Sequence, residues 1–441
     1  MKESVSAVFV TSDKVFFIKR QNYLSVFPGY YATPGGKVDK TDPETEISEI
    51  SLSKKYPKII HAMIRELKEE LNFDLLTEIK NGNVLNIDDI GIAITPEFNP
   101  YRFKNYYFKI TLKREVEFDL DKNEVEFGEW SFPKDLLTRY EQGYILAVPP
   151  AIVLLKTFAS NIHHNTPISM TLPHDPETEV AMIESLYGVR QFLPLSNTFP
   201  PANRTNSFII GDSFKVLIDP SPKDEVELNK FLKSVNKIGF DAIMLTHHHP
   251  DHYEYSDFIA KKYQVPIYLS EDTYQRIGEN YFNGIKIHFL KEGDILTQSL
   301  GRDIFVYHVP GHDEGQLALA PKSMEWFLVG DLIQTIGTVA ILEPEGNMQK
   351  YFASLSKVMA LNPKNIIPSH GIILGGIFKI EETLKHRMMR ENQIIECLNL
   401  NLSEEEMINK IYPDLEVRLI PYAKKTIQAH LKKIIDEKKV N

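Results

Sequence analysis

Short apolar runs set between polar and Gly/Pro-rich stretches dominate the first third of the chain. Residues 5–10 and 15–18, rich in Val and Phe and joined through Ser12-Asp13, predict a pair of strands. A Gly-, Pro- and Tyr-rich loop follows over 28–36, then a polar stretch over 39–58 and a strongly helical segment over 61–71. Strand signals recur at 91–95, 106–112 and 124–130, and a run opened by Pro149-Pro150 predicts a helix to residue 158. Thr166-Pro167, Leu172-Pro173 and Asp175-Pro176 then break all periodicity, which places a domain junction near 160–185. The pattern resets at about 190. Runs at 207–210 and 214–218 pair around Gly211-Asp212, and helical stretches alternate with short apolar strands at 242–245, 267–269, 304–308, 326–329 and 365–367. That alternation predicts stacked α/β layers. From 380 onward the chain reads as helix, with a cap-like Ser403 ahead of Glu404-Glu405-Glu406. The expected organisation is one domain over 1–160, a linker over 161–185, a second domain over 186–378 and a helical extension over 379–441.

Composition narrows the functional classes. With 441 residues, 43% hydrophobic and 25% charged, the chain is long enough for two or three packed domains and too apolar for disorder. A single cysteine, Cys397, excludes an internal disulfide and a zinc site built from cysteines, and no disulfide-linked partner is expected. A net charge of −10 argues against a general polyanion binder, so a nucleic-acid contact needs a local basic patch. No apolar run approaches the roughly 20 residues of a membrane span. The first residues lack the basic start and apolar core of a secretory leader. A cytoplasmic protein without membrane partners is expected; the oligomeric state is not legible.

Two constellations carry chemistry. The first is Arg65-Glu66-Leu67-Lys68-Glu69-Glu70-Leu71. On a helix, Glu66, Glu69 and Glu70 share one face, where three carboxylates repel unless a cation lies among them. Oxygen ligands of this kind suit Mg²⁺ or Mn²⁺. The plainer alternative is a solvated acidic face paired with Arg65 and Lys68. Upstream stands Tyr31-Ala32-Thr33-Pro34-Gly35-Gly36, and the segment ends in Leu71-Asn72-Phe73. Together these resemble the Nudix box. The resemblance implies an α/β/α sandwich, hydrolysis of nucleoside diphosphates linked to another moiety, Glu66, Glu69 and Glu70 as ligands of Mg²⁺ or Mn²⁺, catalytic roles for Glu69 and Glu70, and a structural Arg65. The chain departs from the pattern in three ways. The polar stretch through 40–56 is an insertion between Gly36 and Arg65, Asn72 replaces the box's closing glycine, and the box's loop glutamate has no counterpart. Similar insertions occur in branches acting on coenzyme A derivatives.

The second constellation is Thr246-His247-His248-His249-Pro250-Asp251-His252, directly after an apolar strand. A tight loop at a strand end can aim His247 and His249 at one metal and Asp251 and His252 at another, and imidazole with carboxylate is the ligand set that Zn²⁺ prefers. A chance cluster of histidines on a loop is the competing explanation. The run resembles the HxHxDH motif of the metallo-β-lactamase fold. Val309-Pro310-Gly311-His312, Val329-Gly330-Asp331 and Pro368-Ser369-His370-Gly371 follow in that family's order. The resemblance implies an αββα sandwich with two Zn²⁺ ions, Mn²⁺ or Fe²⁺ being alternatives. It assigns His247, His249 and His312 to one ion, Asp251, His252 and His370 to the other, and Asp331 to both. Asp251 would also accept a proton. His248 is left without a role, and His308 is expected to pack or to support a ligand.

The substrate is not fixed by the fold. Asn203-Arg204-Thr205-Asn206-Ser207-Phe208 and the segment His386-Arg387-Met388-Met389-Arg390-Glu391-Asn392-Gln393-Ile394 resemble the lactamase-β-like protein 2 group, which includes a single-strand endoribonuclease and carries a winged-helix-like C-terminal extension. An ordinary packing helix with exposed arginines is the simpler account of the second segment. From Pro421 on, six lysines stand against Asp436 and Glu437, a basic tail that would suit RNA or merely be solvated. A small molecule or single-stranded RNA is the expected substrate. A thioester hydrolase of glyoxalase II type is the rival, with the N-terminal domain hydrolysing nucleotide or coenzyme A derivatives or acting only as a binding module.

Overall fold

The structure, a computed structural model, describes residues 1–99, 102–416 and 419–437. It divides into two compact units: Met1–His174 with Ile183–Gly188, and Asp175–Met182 with Val189–Asn441. The segment expected as a linker, 161–185, is divided between the units: 161–174 and 183–185 belong to the first, where the Ala147 N–H donates to the Ser185 carbonyl at 2.9 Å, and 175–182 belong to the second.

The first unit is built on a mixed sheet. Strands Lys2–Val10 and Phe103–Leu112 run parallel at its centre, with Val5 opposite Tyr106. Val15–Arg20, Gly35–Lys37 and Val84–Ile94 add antiparallel neighbours. Side chains alternate between the two faces. Val5, Ala7, Phe9, Phe16, Ile18 and Phe108 join Ile60, Met63 and Leu67 of helix Pro57–Leu71 in one core. Val8, Val10, Val15 and Phe17 join Leu136, Leu154, Leu155 and Phe158 of helices Pro133–Glu141 and Pro149–Ser160 in another. The sheet is covered on both faces, giving three α/β/α layers. The box helix begins at Pro57, earlier than the apolar pattern predicts, because proline at its first turn is pre-set for helix. It ends at Asn72, whose φ of 50° and ψ of 30° form the left-handed cap that Asn tolerates in place of glycine.

The second unit stacks two sheets. In one, Ile287–Phe289, Ile267–Leu269, Ala242–Met244, Val216–Ile218, Ser207–Ile210 and Val189–Phe192 lie side by side in that order. In the other the order is Ile295–Ser299, Arg302–His308, Leu317–Pro321, Phe327–Gly330, Asn365–Pro368 and Leu374–Gly375. Helices Glu225–Val235 and Ser256–Tyr263 contribute Phe231 and Ile259 to the core outside the first sheet. Helix Met348–Leu361 contributes Tyr351, Leu355 and Val358 outside the second. The result is an αββα sandwich. The central strands are short and fully buried, as their unbroken apolar runs predict.

Helices Phe378–Asn399, Glu404–Ile411 and Ile420–Asp436 form the extension around Ile394, Cys397, Met407, Ile427 and Ile434. Ser403 closes a capping box with Glu406. Arg387 and Arg390 are not exposed: they are 4% and 9% accessible, with Arg387 donating to the Val339 carbonyl and Arg390 lying 4.1 Å over the Tyr412 ring. In the basic tail, Lys424, Lys432 and Lys433 pair with Glu404, Glu343 and Glu391, while Lys438 and Lys439 lie outside the described residues. No helix among the described residues is long and apolar enough to cross a membrane.

Candidate metal centre

Every predicted ligand of the second unit lies just beyond the end of a strand. Ala242–Met244 leads into the loop carrying His247 and His249, and Asp251 and His252 lie in the short helix Pro250–Tyr253. Arg302–His308 precedes His312, Phe327–Gly330 precedes Asp331, and Asn365–Pro368 precedes His370. Gly311, at φ 134°, passes so close to Tyr351 that a Cβ would sit 2.3 Å from its Cα, so only glycine lets this turn deliver His312.

The ligand atoms converge. His249 Nδ1 is 3.0 Å from His247 Nε2 and 2.9 Å from His312 Nε2. Asp331 places Oδ1 3.6 Å from His252 Nε2, and Oδ2 3.7 Å from His312 Nε2 and 3.3 Å from His370 Nε2. Asp251 Oδ2 is 3.5 Å from His370 Nε2. Ligand atoms of His247, His249 and His312, and those of Asp251, His252 and His370, each fall within 4.8 Å of one another, as do those of His247, His252 and Asp331. Asp331 therefore stands between the two sets.

Neighbouring groups fix which nitrogen faces the centre in three of the rings. His312 Nδ1–H donates to the Ala340 carbonyl at 2.8 Å and His370 Nδ1–H to the Arg204 carbonyl at 2.9 Å. His252 Nδ1–H donates to Asp219 Oδ2 at 2.9 Å. The same carboxylate accepts from the Thr246 hydroxyl at 2.7 Å, and its other oxygen accepts from the Thr246 N–H at 2.8 Å. In the neutral ring, carbonyl and carboxylate partners keep the proton on Nδ1 and leave Nε2 as the lone pair a metal requires. His252 Nε2 and Asp331 Oδ1 are buried without any hydrogen-bond partner. Bare nitrogens and an orphaned carboxylate oxygen aimed at one space make a donor set that fits divalent cations.

The titration tendencies follow the same division. Burial, then the charges of its histidine neighbours, pushes His247 well below its ordinary value, and burial with His312 lowers His249 to about 2. Burial also works against the charged forms of His252 and His370, but the nearby carboxylates hold both above the usual range, so a cation at Nε2 would take the place of a proton there. Burial opposes ionisation of Asp331, yet His370 and His252 keep it well below. Asp331 is thus a carboxylate at neutral pH.

Several contributors carry no metal-ligand signature in the sequence. Asp219 is one; Thr205, donating to Asp251 at 3.3 Å, and Asn206, bonded to the Pro368 and Gly371 carbonyls at 2.9 Å, are others. His248, left without a role by the motif, bonds Asp313, and burial acts against ionised Asp313 while His248 lowers it below its ordinary value. His308 donates to the Glu314 carbonyl at 2.7 Å and is not a ligand.

In the first unit the three box glutamates lie in different settings. Glu70 is buried and accepts from the Gly35 N–H at 2.8 Å. Glu66 pairs with Arg65 at 2.8 Å, and Glu69 points outward to the same guanidinium at 3.1 Å. Among the described residues the three do not form a set with ligand atoms within 4.8 Å. Arg65 also bonds Asp42 at 2.9 Å and the Lys37 carbonyl at 2.8 Å, tying the inserted segment to the box helix. Gly36 approaches Glu66 so closely that a Cβ would meet its carboxylate at 2.3 Å.

Comparison with known proteins agrees with this geometry. The metallo-beta-lactamase superfamily signature matches residues 200–370, and that of the beta-lactamase associated winged helix domain matches 403–441. The chain belongs to the metallo-beta-lactamase superfamily, whose fold implies divalent-metal binding at the His/Asp cluster. It is 30% identical over 250 residues to the Beta-lactamase-like protein 2 homolog of Drosophila melanogaster, covering 54% of this chain and 84% of that one. It is 28% identical over 156 residues to the Hydroxyacylglutathione hydrolase of Bdellovibrio bacteriovorus, covering 35% and 58%. A beta-lactamase domain protein of Burkholderia ambifaria shares the fold, with a TM-score of 0.51 at 18% identity over 60% of this chain and 90% of that one.

Proposed function

We propose that the second unit is a dinuclear metal-dependent hydrolase of zinc type that cleaves phosphodiester bonds in single-stranded RNA. The observation that carries the dinuclear reading is Asp331, buried and ionised between His312 on one side and His252 and His370 on the other. His247, His249 and His312 would hold one ion, Asp251, His252 and His370 the second, and Asp331 both. When bound, such a pair supplies a nucleophile from water near neutral pH and polarises the oxygen of the scissile group. The protein's own part is to hold the ring nitrogens bare through Ala340, Arg204 and Asp219. Asp251, oriented by the Thr205 hydroxyl, is placed to take up a proton at Oδ2.

The phosphodiester substrate is supported by the resemblance of the Arg387/Arg390 helix to the lactamase-β-like protein 2 group. A second reading, thioester hydrolysis, is favoured by the identity to a hydroxyacylglutathione hydrolase and by the engagement of Arg387, Arg390 and three tail lysines within the fold. The test is to incubate the purified protein and a His249→Ala variant with a single-stranded RNA oligonucleotide and with an acyl-glutathione thioester. RNA cleavage lost in the variant supports the first reading; thioester cleavage alone replaces it with the second.

The first unit is proposed to be a Nudix-like module taking Mg²⁺ or Mn²⁺ at Glu66, Glu69 and Glu70. The approach of Gly35 and Gly36 to Glu70 and Glu66 supports it, because it places the loop's backbone against the helix carboxylates. Nucleotide hydrolysis lost on Glu69→Gln or Glu70→Gln is expected. Equal background in variant and wild type would leave a binding module.

A further inference from the structure

The metal centre and the C-terminal extension meet at one loop. This loop, residues 331–347, joins strand Phe327–Gly330 to helix Met348–Leu361. It begins with the ligand Asp331. Its Thr335 N–H donates to the His370 carbonyl at 3.1 Å. Its Ala340 carbonyl accepts His312 Nδ1–H at 2.8 Å, and its Glu345 lies 3.5 Å from His249 Nε2. One segment therefore supplies or contacts four of the seven ligands.

The loop has no regular hydrogen-bond ladder, so its shape depends on what grips it. The Val339 carbonyl accepts a hydrogen bond from the Arg387 guanidinium. Arg387 belongs to helix Phe378–Asn399, is 4% accessible, and lies over the Tyr351 ring at 5.6 Å. The Tyr351 hydroxyl in turn donates to the Leu332 carbonyl at 2.7 Å, next to Asp331. From the last helix, Lys432 pairs with Glu343 at 2.9 Å. Fixing the Val339 carbonyl fixes the plane of the Val339–Ala340 peptide, because that unit is rigid. It thereby limits where the next carbonyl, the acceptor of His312 Nδ1–H, can point.

We propose that Arg387 is a positioning residue of the metal centre. It holds the Val339–Ala340 turn so that the Ala340 carbonyl fixes His312 with Nε2 bare, which makes the C-terminal extension a structural part of the site and not an appended module. The proposal rests on the dinuclear reading of the site. A guanidinium is suited to the task because it stays charged when buried and offers several donors in a fixed plane. The neighbouring Arg390 provides the contrast: it bonds Gln393 at 2.9 Å and the Ile411 carbonyl at 3.2 Å, both within the extension.

The experiment compares zinc affinity of the full chain, by competition with a chromophoric chelator, in wild type, Arg387→Met, Arg387→Lys and Arg390→Met. Removing a partner that orients a metal-binding histidine costs on the order of 10–100-fold in affinity. Arg387 acts one residue further out, so Arg387→Met is expected to weaken one of the two zinc-binding steps about tenfold. Arg387→Lys should recover part of the loss, and Arg390→Met should lower the melting temperature while leaving zinc affinity at the wild-type value. Wild-type zinc affinity in a folded Arg387→Met protein overturns the proposal. If Arg387→Met does not fold, Arg387→Lys decides, and wild-type affinity there overturns it equally. An equal loss of affinity in Arg390→Met also overturns it, since the effect would then be general loosening. Absence of zinc uptake by the wild type itself would instead defeat the dinuclear reading, and the inference with it.

Discussion

Replacing Asp219 by asparagine tests how the second unit prepares a histidine for its metal. Asp219 is 1% accessible and accepts three hydrogen bonds, from the Thr246 N–H at 2.8 Å, the Thr246 hydroxyl at 2.7 Å and His252 Nδ1–H at 2.9 Å. Asp219→Asn keeps the volume but offers one carbonyl oxygen and an NH₂ group. If the oxygen stays with the Thr246 N–H, the NH₂ faces His252 Nδ1–H, donor against donor. His252 then either leaves a buried donor unmet, at about 1–3 kcal/mol, or moves its proton to Nε2, where it blocks ligation. Either outcome weakens the metal site that His252 serves by about 10–100-fold, which is about 1.4–2.7 kcal/mol. The assay is chelator competition for zinc, paired with melting of the metal-free protein, where each kcal/mol shifts the transition by about 2–4 °C for a unit of this size. Two zinc ions bound by the Asp219→Asn variant at wild-type affinity would refute the reasoning.

Two further predictions concern other parts of the chain. Burial raises Glu70 to about 8, partly offset by the Gly35 N–H and Arg20, with Glu124 and Glu66 adding to the rise. A carboxyl whose folded-state pKa is raised contributes stability that is present below its unfolded value of 4.5 and lost as pH rises through about 8. In metal-free protein Glu70→Gln is therefore expected to match wild type near pH 5 and to protect the amides of helix Pro57–Leu71 more strongly at pH 8.5, by on the order of a few kcal/mol in hydrogen exchange. A difference independent of pH would contradict this. Ser403→Ala removes the hydroxyl half of the capping box, leaving the backbone N–H at that position on Glu406, and should cost about 1 kcal/mol, read as faster exchange in helix Glu404–Ile411 with zinc affinity unchanged. Unaltered exchange there would show that the cap contributes nothing.

The parts of this architecture that the sequence reveals are those where neighbours in the chain do the work. His247, His249, Asp251 and His252 sit on one loop and its short helix, so their register is visible as spacing. The nearly unbroken apolar runs of the N-terminal strands likewise suit a sheet covered on both faces. His312, Asp331 and His370 are separated by long intervals, and it is their place beside glycines and just past strand ends, read through a family resemblance, that exposes them. The strands Ile287–Phe289, Ile295–Ser299 and Leu317–Pro321 escape notice because they are short and Thr297, Gln298 and the proline dilute their apolar pattern. Asp219 looks like an ordinary turn residue in Asp-Pro-Ser until folding brings Thr246 and His252 to it. The Ala340 carbonyl has no sequence signature at all, since any residue supplies one. Arg387 and Arg390 mislead in the opposite sense: arginine is usually exposed, and only the packing of the extension shows both to be buried and occupied within the fold.

The central claim is that the second unit binds two divalent ions through two histidine sets that share Asp331. The most direct measurement is zinc stoichiometry by elemental analysis after gel filtration, in buffer saturated with Mg²⁺ so that the first unit does not take up zinc, on wild type, His249→Ala and Asp331→Asn. Two zinc ions per chain in wild type, one in His249→Ala and fewer than two in Asp331→Asn are expected. No bound zinc in the wild type, or two retained in His249→Ala, would contradict the account.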